Sequence, residues 1–343
     1  MSHLRKVLVT GGAGYIGSHT VVSLVHSGYQ PVILDNLSNS NPAVLDNLRD
    51  ILQQDLIFYR GDCRDQDLMH SIFNEHQLSG VIHFAASKAV GESVEKPLLY
   101  YSNNLDSLLV ILENMDQYGV ANLVFSSSCT VYGQPDHLPV TESTERKPAA
   151  SPYGNTKKIC EDIIFDVVQS PASLKAISLR YFNPIGAHES GKLGELPIGT
   201  PNNLVPFVAQ TAAGIRDSIT VFGDDYNTPD GTCIRDYIHV MDLADAHVKS
   251  LNHLDQQETD ACYDVFNLGT GNGNSVMEVI NSFQEVTGAP VNYQIGGRRS
   301  GDIEQIFANV EKAQRELGWT ASKNLQQALA DTWKWQQTLM KSV

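Results

Sequence analysis

The stretch Lys6-Val7-Leu8-Val9-Thr10-Gly11-Gly12-Ala13-Gly14-Tyr15-Ile16-Gly17 decides how the rest of the chain is read. A short apolar run ends in glycines, and helical periodicity begins at Tyr15 and continues to Ser27. The glycines read as GxGxxG from Gly12 or as GxxGxxG from Gly11. Glycine permits the tight turn and lets the backbone approach a pyrophosphate. The helix start behind it offers unpaired N–H groups and a partial positive charge. The next strand, Pro31–Asp35, ends in an acid 18 residues after Gly17. Such a carboxylate accepts hydrogen bonds from the adenosine ribose hydroxyls and repels a 2′-phosphate, so NAD is expected rather than NADP. Asp62, after a third strand, is placed either to reach the adenine edge or to cap the helix that follows.

Working outward, strands are expected at Lys6–Thr10, Pro31–Asp35, Leu56–Asp62, Val81–Ala86, Asn122–Ser128 and Ala176–Phe182. Helices are expected between them, at Asp65–His76, Pro97–Tyr118 and from Tyr153 to about Gln169. Buried strands alternating with helices predict an α/β fold, a doubly wound parallel Rossmann sheet with right-handed crossovers. The run Pro184–Asn203 is rich in Gly and Pro and has no periodicity, which places a division near residue 180. Residues 1–180 are therefore expected to form the dinucleotide-binding domain. Residues 181–343 form a smaller mixed α/β substrate-binding domain, some of whose strands pair back onto the first. Its expected helices are Leu204–Gly214, Val240–Leu254, Ser275–Thr287, Val310–Leu317 and Leu325–Gln337. Its expected strands are Ile219–Phe222, Val265–Leu268 and Val291–Ile295.

The chain has 343 residues, 42% hydrophobic and 18% charged, enough to bury a large core. Its formal net charge of −15 disfavours nucleic acid and acidic membranes as partners, so an anionic substrate needs specific Arg or Lys residues to hold it. Five cysteines without CxxC spacing fit reduced thiols better than a disulfide frame or a zinc site. No apolar stretch suits a signal segment or a membrane span, and a cytoplasmic protein is expected. HExxH, metal-ligand spacing and GxSxG are all missing from the sequence, so no metal is expected. His83 and His239 sit in apolar runs and read as core residues.

The chemistry is carried by Tyr153-Gly154-Asn155-Thr156-Lys157. Four residues make one helical turn, so phenol and ammonium share a face. A Tyr of ordinary pKa near 10 is about a thousandfold under-ionised at neutral pH, and lowering it by ~3 units needs about 4 kcal/mol. A cation roughly 5 Å away, at an effective dielectric near 20, supplies about 3 kcal/mol. A positively charged nicotinamide would supply more. Ser126-Ser127-Ser128 ends the fifth strand, 25 residues before Tyr153 at its last member. C-terminal ends of parallel strands face the ligand crevice, so a hydroxyl there either meets the substrate or serves the turn.

Glycine loop, strand-end serine and YxxxK together resemble the set of the extended short-chain dehydrogenases/reductases. The resemblance narrows with Leu34-Asp35-Asn36-Leu37, His83-Phe84-Ala85-Ala86, Lys88-Ala89-Val90-Gly91-Glu92-Ser93, Arg180-Tyr181-Phe182-Asn183-Pro184, Pro201-Asn202-Asn203-Leu204 and Arg235-Asp236-Tyr237-Ile238-His239-Val240-Met241-Asp242-Leu243-Ala244. These span nearly the whole chain and are similar to the UDP-glucose 4-epimerase family. The resemblance implies reversible interconversion of UDP-galactose and UDP-glucose by transient oxidation at C4 with bound NAD, rotation of a 4-keto intermediate and return of the hydride.

It also implies roles. Tyr153 takes the proton of the sugar 4-hydroxyl, Lys157 lowers the Tyr pKa, and Ser128 bridges Tyr153 and the 4-oxygen. The cofactor is expected along Gly11, Gly14, Tyr15, Ile16, Gly17, Asp35, Asn36, Asp62, Cys63, Phe84, Ala85, Lys88, Asn103 and Phe182, with Lys88 near its pyrophosphate. Asn183, Asn203, Arg235, Arg299 and Asp302 hold the UDP part, with Phe222 beside uracil. Without the family, Arg235 reads as a structural salt-bridge residue and Arg298-Arg299 as a solvated pair. The family further implies a homodimer in which the helix Pro97–Tyr118 packs with the stretch Ile164–Val168 in a four-helix bundle.

Three positions depart from the family pattern. Cys129 and Cys63 stand where small apolar residues are usual. Ile306 stands where a residue gates the size of the sugar 2-substituent, and its bulk disfavours N-acetyl sugars. Related dehydratases carry an acid pair after the strand-five serines, where this chain has Cys129-Thr130. The alternatives are a 4-epimerase for N-acetylated or uronic sugars, or an NAD-binding sensor without catalysis.

Overall fold

The structure is a computed structural model describing residues 4–299 and 302–341. Strand and helix alternate through β1 (Arg5–Thr10), α1 (Tyr15–His26), β2 (Tyr29–Asp35), α2 (Ala43–Leu52), β3 (Ile57–Arg60), α3 (Gln66–Glu75) and β4 (Leu78–His83). They continue through α4 (Val90–Glu95), α5 (Pro97–Tyr118), β5 (Asn122–Ser126), a 3₁₀ turn at Cys129–Tyr132, α6 (Pro152–Gln169) and β6 (Lys175–Tyr181). The second half holds β7 (Asn183–Ile185), α7 (Leu204–Ala212), β8 (Ile219–Phe222), β9 (Ile234–His239), α8 (Val240–Asp255) and β10 (Cys262–Leu268). It closes with β11 (Gly273–Ser275), α9 (Val276–Thr287), β12 (Tyr293–Gly296), β13 (Gln305–Ile306), α10 (Glu311–Leu317) and α11 (Leu325–Lys341).

The main sheet has seven strands in the order β10-β6-β5-β4-β1-β2-β3, and every pairing in it is parallel. Period-2 alternation sends Val7, Val9, Ile33, Ile82 and Val124 to one face, where α1 and α8 cover them. Leu8, Val32, Val81, Leu123 and Phe125 go to the other face, under α3, α5 and α6. Both faces are dry, as expected of a doubly wound sheet. β10 belongs to this sheet although it comes from the second half of the chain, and it pairs with β6 over Cys262–Leu268.

A four-stranded sheet is built around β9, which pairs with β7, β11 and β13, and β8 pairs with β12 in a two-stranded parallel ribbon. Their shared core includes Ile185, Val208, Val221, Phe283 and Leu329. The sequence reading missed β9, because Arg235 and Asp236 break the apolar pattern of Ile-Arg-Asp-Tyr-Ile-His. Asp236 is fully buried because it caps backbone: its carboxylate accepts the N–H groups of Thr270, Gly271 and Ala308. β7, β11 and β13 are two or three residues long, below what periodicity can resolve. The α2 helix was also unforeseen. It follows a Ser- and Asn-rich run, and only Val44, Leu45 and Leu48 of it are buried.

His83 and His239 are core residues, as read from their apolar surroundings. His83 bonds Thr10 Oγ1 through Nδ1 (2.7 Å), and His239 Nδ1 accepts from the Met241 N–H (3.0 Å). All five cysteines are free, and among the described residues no helix is long and apolar enough to cross a membrane.

Candidate active site

The strand order of the main sheet reverses between β1 and β4, and the crevice beyond their C-terminal ends is where such sheets bind ligands. Two connections meet there, the glycine loop after β1 and Phe84-Ala85 after β4. A Cβ on Gly11 would lie 2.9 Å from the Ala85 nitrogen, and one on Gly17 would lie 2.2 Å from the Gly11 carbonyl oxygen. The turn is closed as tightly as backbone allows. Gly14 precedes α1 and supplies no side-chain cap, which leaves the first N–H groups of a twelve-residue helix available to an anion.

Asp35 stands at the rim of this loop. Its Oδ2 accepts the Ala13 N–H (3.0 Å) and its Oδ1 the Leu37 N–H (2.8 Å). Burial raises its carboxyl above the usual range, and those two bonds pull it back. Asn36 Nδ2 reaches Asp62 Oδ2 at 3.4 Å, so the Asp35-Asn36 end of β2 and the Asp62 end of β3 share one rim. The cap of α3 is Asp65, which accepts the Leu68 N–H, so Asp62 does not serve that role. Further along, Asn103 Nδ2 reaches Ser87 Oγ at 3.2 Å, and Lys88 Nζ lies 3.6 Å from Glu195. Tyr15 donates its phenol to the Gly186 carbonyl (2.7 Å), and Ile16 packs on the core. The Cys63 thiol is turned into the core, where burial pushes it up to about 12, so only its backbone borders the rim.

A glycine cradle, an uncapped helix start and a rim carboxylate are the donor and acceptor set that fits a dinucleotide. Gly17→Ala is expected to force the loop open. It should lower the cofactor content of purified protein at least tenfold, measured on material released by acid, with helical content unchanged. Full retention would mean that this loop does not cradle the pyrophosphate.

Tyr153 and Lys157 lie on α6, which starts with Ser151 accepting the Gly154 N–H and with Pro152 in its first turn. Their shared face meets the end of β5. Lys157 Nζ donates to the Ser126 carbonyl (2.6 Å) and sits 4.8 Å from the centre of the Phe125 ring. Burial pushes Lys157 down to about 8. The Tyr153 phenol is raised well above its ordinary value by burial, with Tyr181 adding to the rise, while a hydrogen bond with Ser128 pulls the other way. The expected depression of this phenol by Lys157 is therefore not what the protein produces by itself. Desolvation dominates the phenol in the protein without its cofactor. Ser128 Oγ also accepts from Thr130, from its N–H at 3.2 Å and its hydroxyl at 3.0 Å.

The remaining predicted residues come from the second half. Asn183 opens β7, Arg235 lies on β9, and Ile306 of β13 is in register with Arg235. Arg235 Nη1 donates to the Ile234 carbonyl (2.8 Å) and acts on the Cys129 thiol, which burial pushes up to about 12 and Arg235 pulls back. Arg235 and the serine end of β5 thus border one space. Ile306 is buried with Phe182, Cys129 and Tyr132. Asn203 precedes α7 but does not cap it, because its Nδ2 donates to Glu195 Oε1 (2.7 Å). The Arg299 guanidinium lies 5.6 Å from the Phe222 ring centre and donates to Asp302 Oδ1 (2.6 Å), which groups those three.

Sequence reasoning missed Tyr181, whose hydroxyl lies 2.5 Å from Ser126 Oγ, and Glu195, which reaches both Lys88 and Asn203. It also missed Glu161. A readable signal existed for Glu161 alone, since Tyr153, Lys157 and Glu161 continue one four-residue stripe. Among the described residues no group of three or more His, Cys, Asp or Glu side chains is placed to hold a metal.

Comparison with known proteins places this geometry in context. The family model described as GDP-mannose 4,6 dehydratase matches residues 8–332. UDP-glucose 4-epimerase 2 of Arabidopsis thaliana is 51% identical over 334 residues, covering 96% of this chain and 95% of that one. UDP-glucose 4-epimerase of Bacillus subtilis (strain 168) is 51% identical over 330 residues, covering 96% of each. The crystal structure of UDP-glucose 4-epimerase from Bifidobacterium longum, in complex with NAD+ and UDP, is 46% identical. It superposes with a TM-score of 0.94, covering 98% of this chain and 100% of that one.

Proposed function

The chain belongs to the GDP-mannose 4,6-dehydratase family and, within it, to the UDP-glucose 4-epimerases, and on that footing we propose that it is an NAD-dependent epimerase that interconverts UDP-galactose and UDP-glucose. The observation that carries the reading is the meeting of Tyr153, Lys157 and Ser128 at the end of β5, beside the glycine cradle and bordered by Arg235.

The glycine loop, the start of α1 and Asp35 would hold NAD, which would supply a hydride acceptor and donor for C4 and a positively charged ring. Tyr153 takes the proton of the 4-hydroxyl and later returns it. Ser128 holds the 4-oxygen and the Tyr153 phenol in one hydrogen-bonded line. Lys157, anchored on the Ser126 carbonyl, keeps positive charge on the face where the phenolate forms. Arg235, Arg299 and Asp302, with Asn183, Asn203 and Phe222, anchor UDP at the far end, while the sugar itself is held loosely enough to turn over. Arg is suited to that anchor because its fork matches a diphosphate. Strong grip on the nucleotide and weak grip on the sugar separate anchoring from chemistry.

Elimination of water is disfavoured. A dehydratase needs an acid after the β5 serines, and Cys129-Thr130 offers only a thiol pushed up to about 12 and a hydroxyl. Ile306, packed against Phe182 and Cys129 and in register with Arg235, is the bulky side chain we assign to the sugar 2-substituent, so an N-acetyl group is expected to fit poorly.

We divide the chain into a cofactor half, residues 1–180, and a nucleotide-sugar half, residues 181–343, with β10 lent back to the first sheet. A homodimer is supported by α5 and α6, which pack on one another and expose Leu98 (82%), Leu109 and Phe165 (48%). Of the stretch Ile164–Val168 expected at that interface, Ile164 and Val168 face the sheet of their own subunit, and Phe165 is the outward residue. A cytoplasmic location is supported by the five unpaired thiols.

The test is NMR of the anomeric protons on purified protein given UDP-galactose and no added cofactor. Appearance of UDP-glucose to a stable equilibrium is the expected outcome, with UDP-N-acetylglucosamine converted far more slowly. No conversion after NAD has been added and shown to bind would overturn the reading. Equal rates on the two sugars would overturn the role given to Ile306.

A further inference from the structure

The helix carrying Tyr153 and Lys157 is tied to the end of β5 at three consecutive positions. Tyr153 shares a hydrogen bond with Ser128, and Lys157 Nζ donates to the Ser126 carbonyl (2.6 Å). Between them, Ser127 Oγ donates to Glu161 Oε1 (2.6 Å). The helix residues are four apart and their partners adjacent in the chain, so three contacts gather one face of α6 onto the end of β5. Glu161 and Ser127 are both fully buried, and no part of the proposed mechanism uses either.

The Glu161 carboxylate is held between two guanidinium groups. Arg180 from β6 grips it in a fork, Nε to Oε1 at 2.9 Å and Nη2 to Oε2 at 2.6 Å. Arg146 adds a third donor at 3.3 Å, and Tyr263 of β10 lies close enough for its phenol to be raised by Glu161. Among the described residues, Lys157 faces Cys160 and Glu161 on its own helix, the Ser126 carbonyl and Phe125 ring of β5, and His83 of β4. Burial pushes the Cys160 thiol up to about 12 and His83 down to about 3, so both are neutral through the working range. Tyr153 and Tyr181 are raised phenols and also neutral. Glu161 is then the anion beside Lys157, with Arg180 and Arg146 on its far side.

We propose that Glu161 is a positioning residue for the reaction, fixing the end of β5 through Ser127 and setting its carboxylate one helical turn from the Lys157 ammonium that serves Tyr153. The proposal rests on the assignment of Tyr153, Lys157 and Ser128 made above. Desolvation opposes the ammonium, and a neighbouring carboxylate offsets it. Converting Glu161 to an amide removes that offset and leaves the two arginines uncompensated, so both changes act on Lys157 with the same sign.

The experiment uses the holoenzyme. Glu161→Gln retains an acceptor for Ser127 but no charge. The alkaline limb of its kcat–pH profile is expected to move about one pH unit toward acid. The ε-carbon resonance of labelled Lys157, assigned with Lys157→Met, should titrate lower by a similar amount. Ser127→Ala, which keeps the charge, is expected to lower kcat severalfold with the limb unmoved. If Glu161→Gln fails to fold because Arg180 is left buried and unpaired, Glu161→Gln with Arg180→Met is compared with Arg180→Met alone, and the limb of the double variant is expected to lie on the acid side of the single one. An unmoved limb and an unmoved Lys157 titration, whatever happens to stability, would overturn the proposal. An active Tyr153→Phe enzyme would instead overturn the catalytic assignment beneath it, so the two failures are distinguishable.

Discussion

Tyr153→Phe is expected to lower turnover by about a thousandfold, within the range ~10²–10⁴ that a positioned acid–base group contributes. The substitution removes one oxygen from a side chain whose ring stays packed, so cofactor content and UDP affinity should remain within a factor of about three. The reaction asks the same atom to accept a proton and then give it back. A phenylalanine fails at both steps, and no other acid–base side chain is placed at the Ser128 hydroxyl. Its other neighbours are Thr130, which donates to it, and the Cys129 thiol. The raised phenol sharpens the expectation. In the protein alone Tyr153 stays protonated through neutral pH, because burial and Tyr181 outweigh the Ser128 bond. Phenolate should therefore be undetectable at pH 8 in cofactor-free protein, by ultraviolet difference against Tyr153→Phe. Retention of more than a tenth of the wild-type rate by Tyr153→Phe would remove Tyr153 from the mechanism.

The second large effect is loss of stability in mild acid. His19 and His83 are buried and neutral, with pKa values pushed down to about 3, and His247 is pushed down to about 4, in each case by desolvation first. The unfolded chain binds protons at these positions near pH 6.5, whereas the folded chain refuses them until far lower pH. Stability from these groups is therefore complete above about pH 6.5 and is lost as the pH falls toward their folded values. With three protons involved, the slope approaches ~4 kcal/mol per pH unit at its steepest. Denaturant titrations between pH 7 and pH 5 check this, in a window above most carboxylate titrations. His247 has no partner for its Nε2 among the described residues, so His247→Leu should flatten the slope by about one third. A stability unchanged from pH 6.5 to pH 5 would contradict the buried, neutral state of these imidazoles.

What could be read from the sequence divides along physical lines. The glycine loop, Asp35 and the apolar strands were legible because each belongs to one strand–turn–helix–strand unit with a fixed pattern. YxxxK was legible as a helical repeat. The same repeat carried Glu161, but its meaning depends on Arg180, 19 residues away, and on Ser127, 34 residues away, which no local pattern connects. Without the family resemblance, Arg235 read as a structural salt-bridge residue and Arg299 as one of a solvated pair. Their placement comes from β9, β12 and β13, short strands paired across long separations. The raised state of the Tyr153 phenol in the cofactor-free protein was out of reach for a related reason. A sequence shows which charge is four residues away but not how much water is missing around it.

The place of β10 has a consequence for how the protein is made. A ribosome releases β6 about 80 residues before Cys262–Leu268 exists to cover its outer edge. Through that interval six strands can already pair, but one side of β6 presents unsatisfied backbone to any passing strand. Nascent chains stalled after residue 200 should therefore lean on chaperones and aggregate when released. Chains stalled after residue 300 should survive release, because the sheet then has its last member.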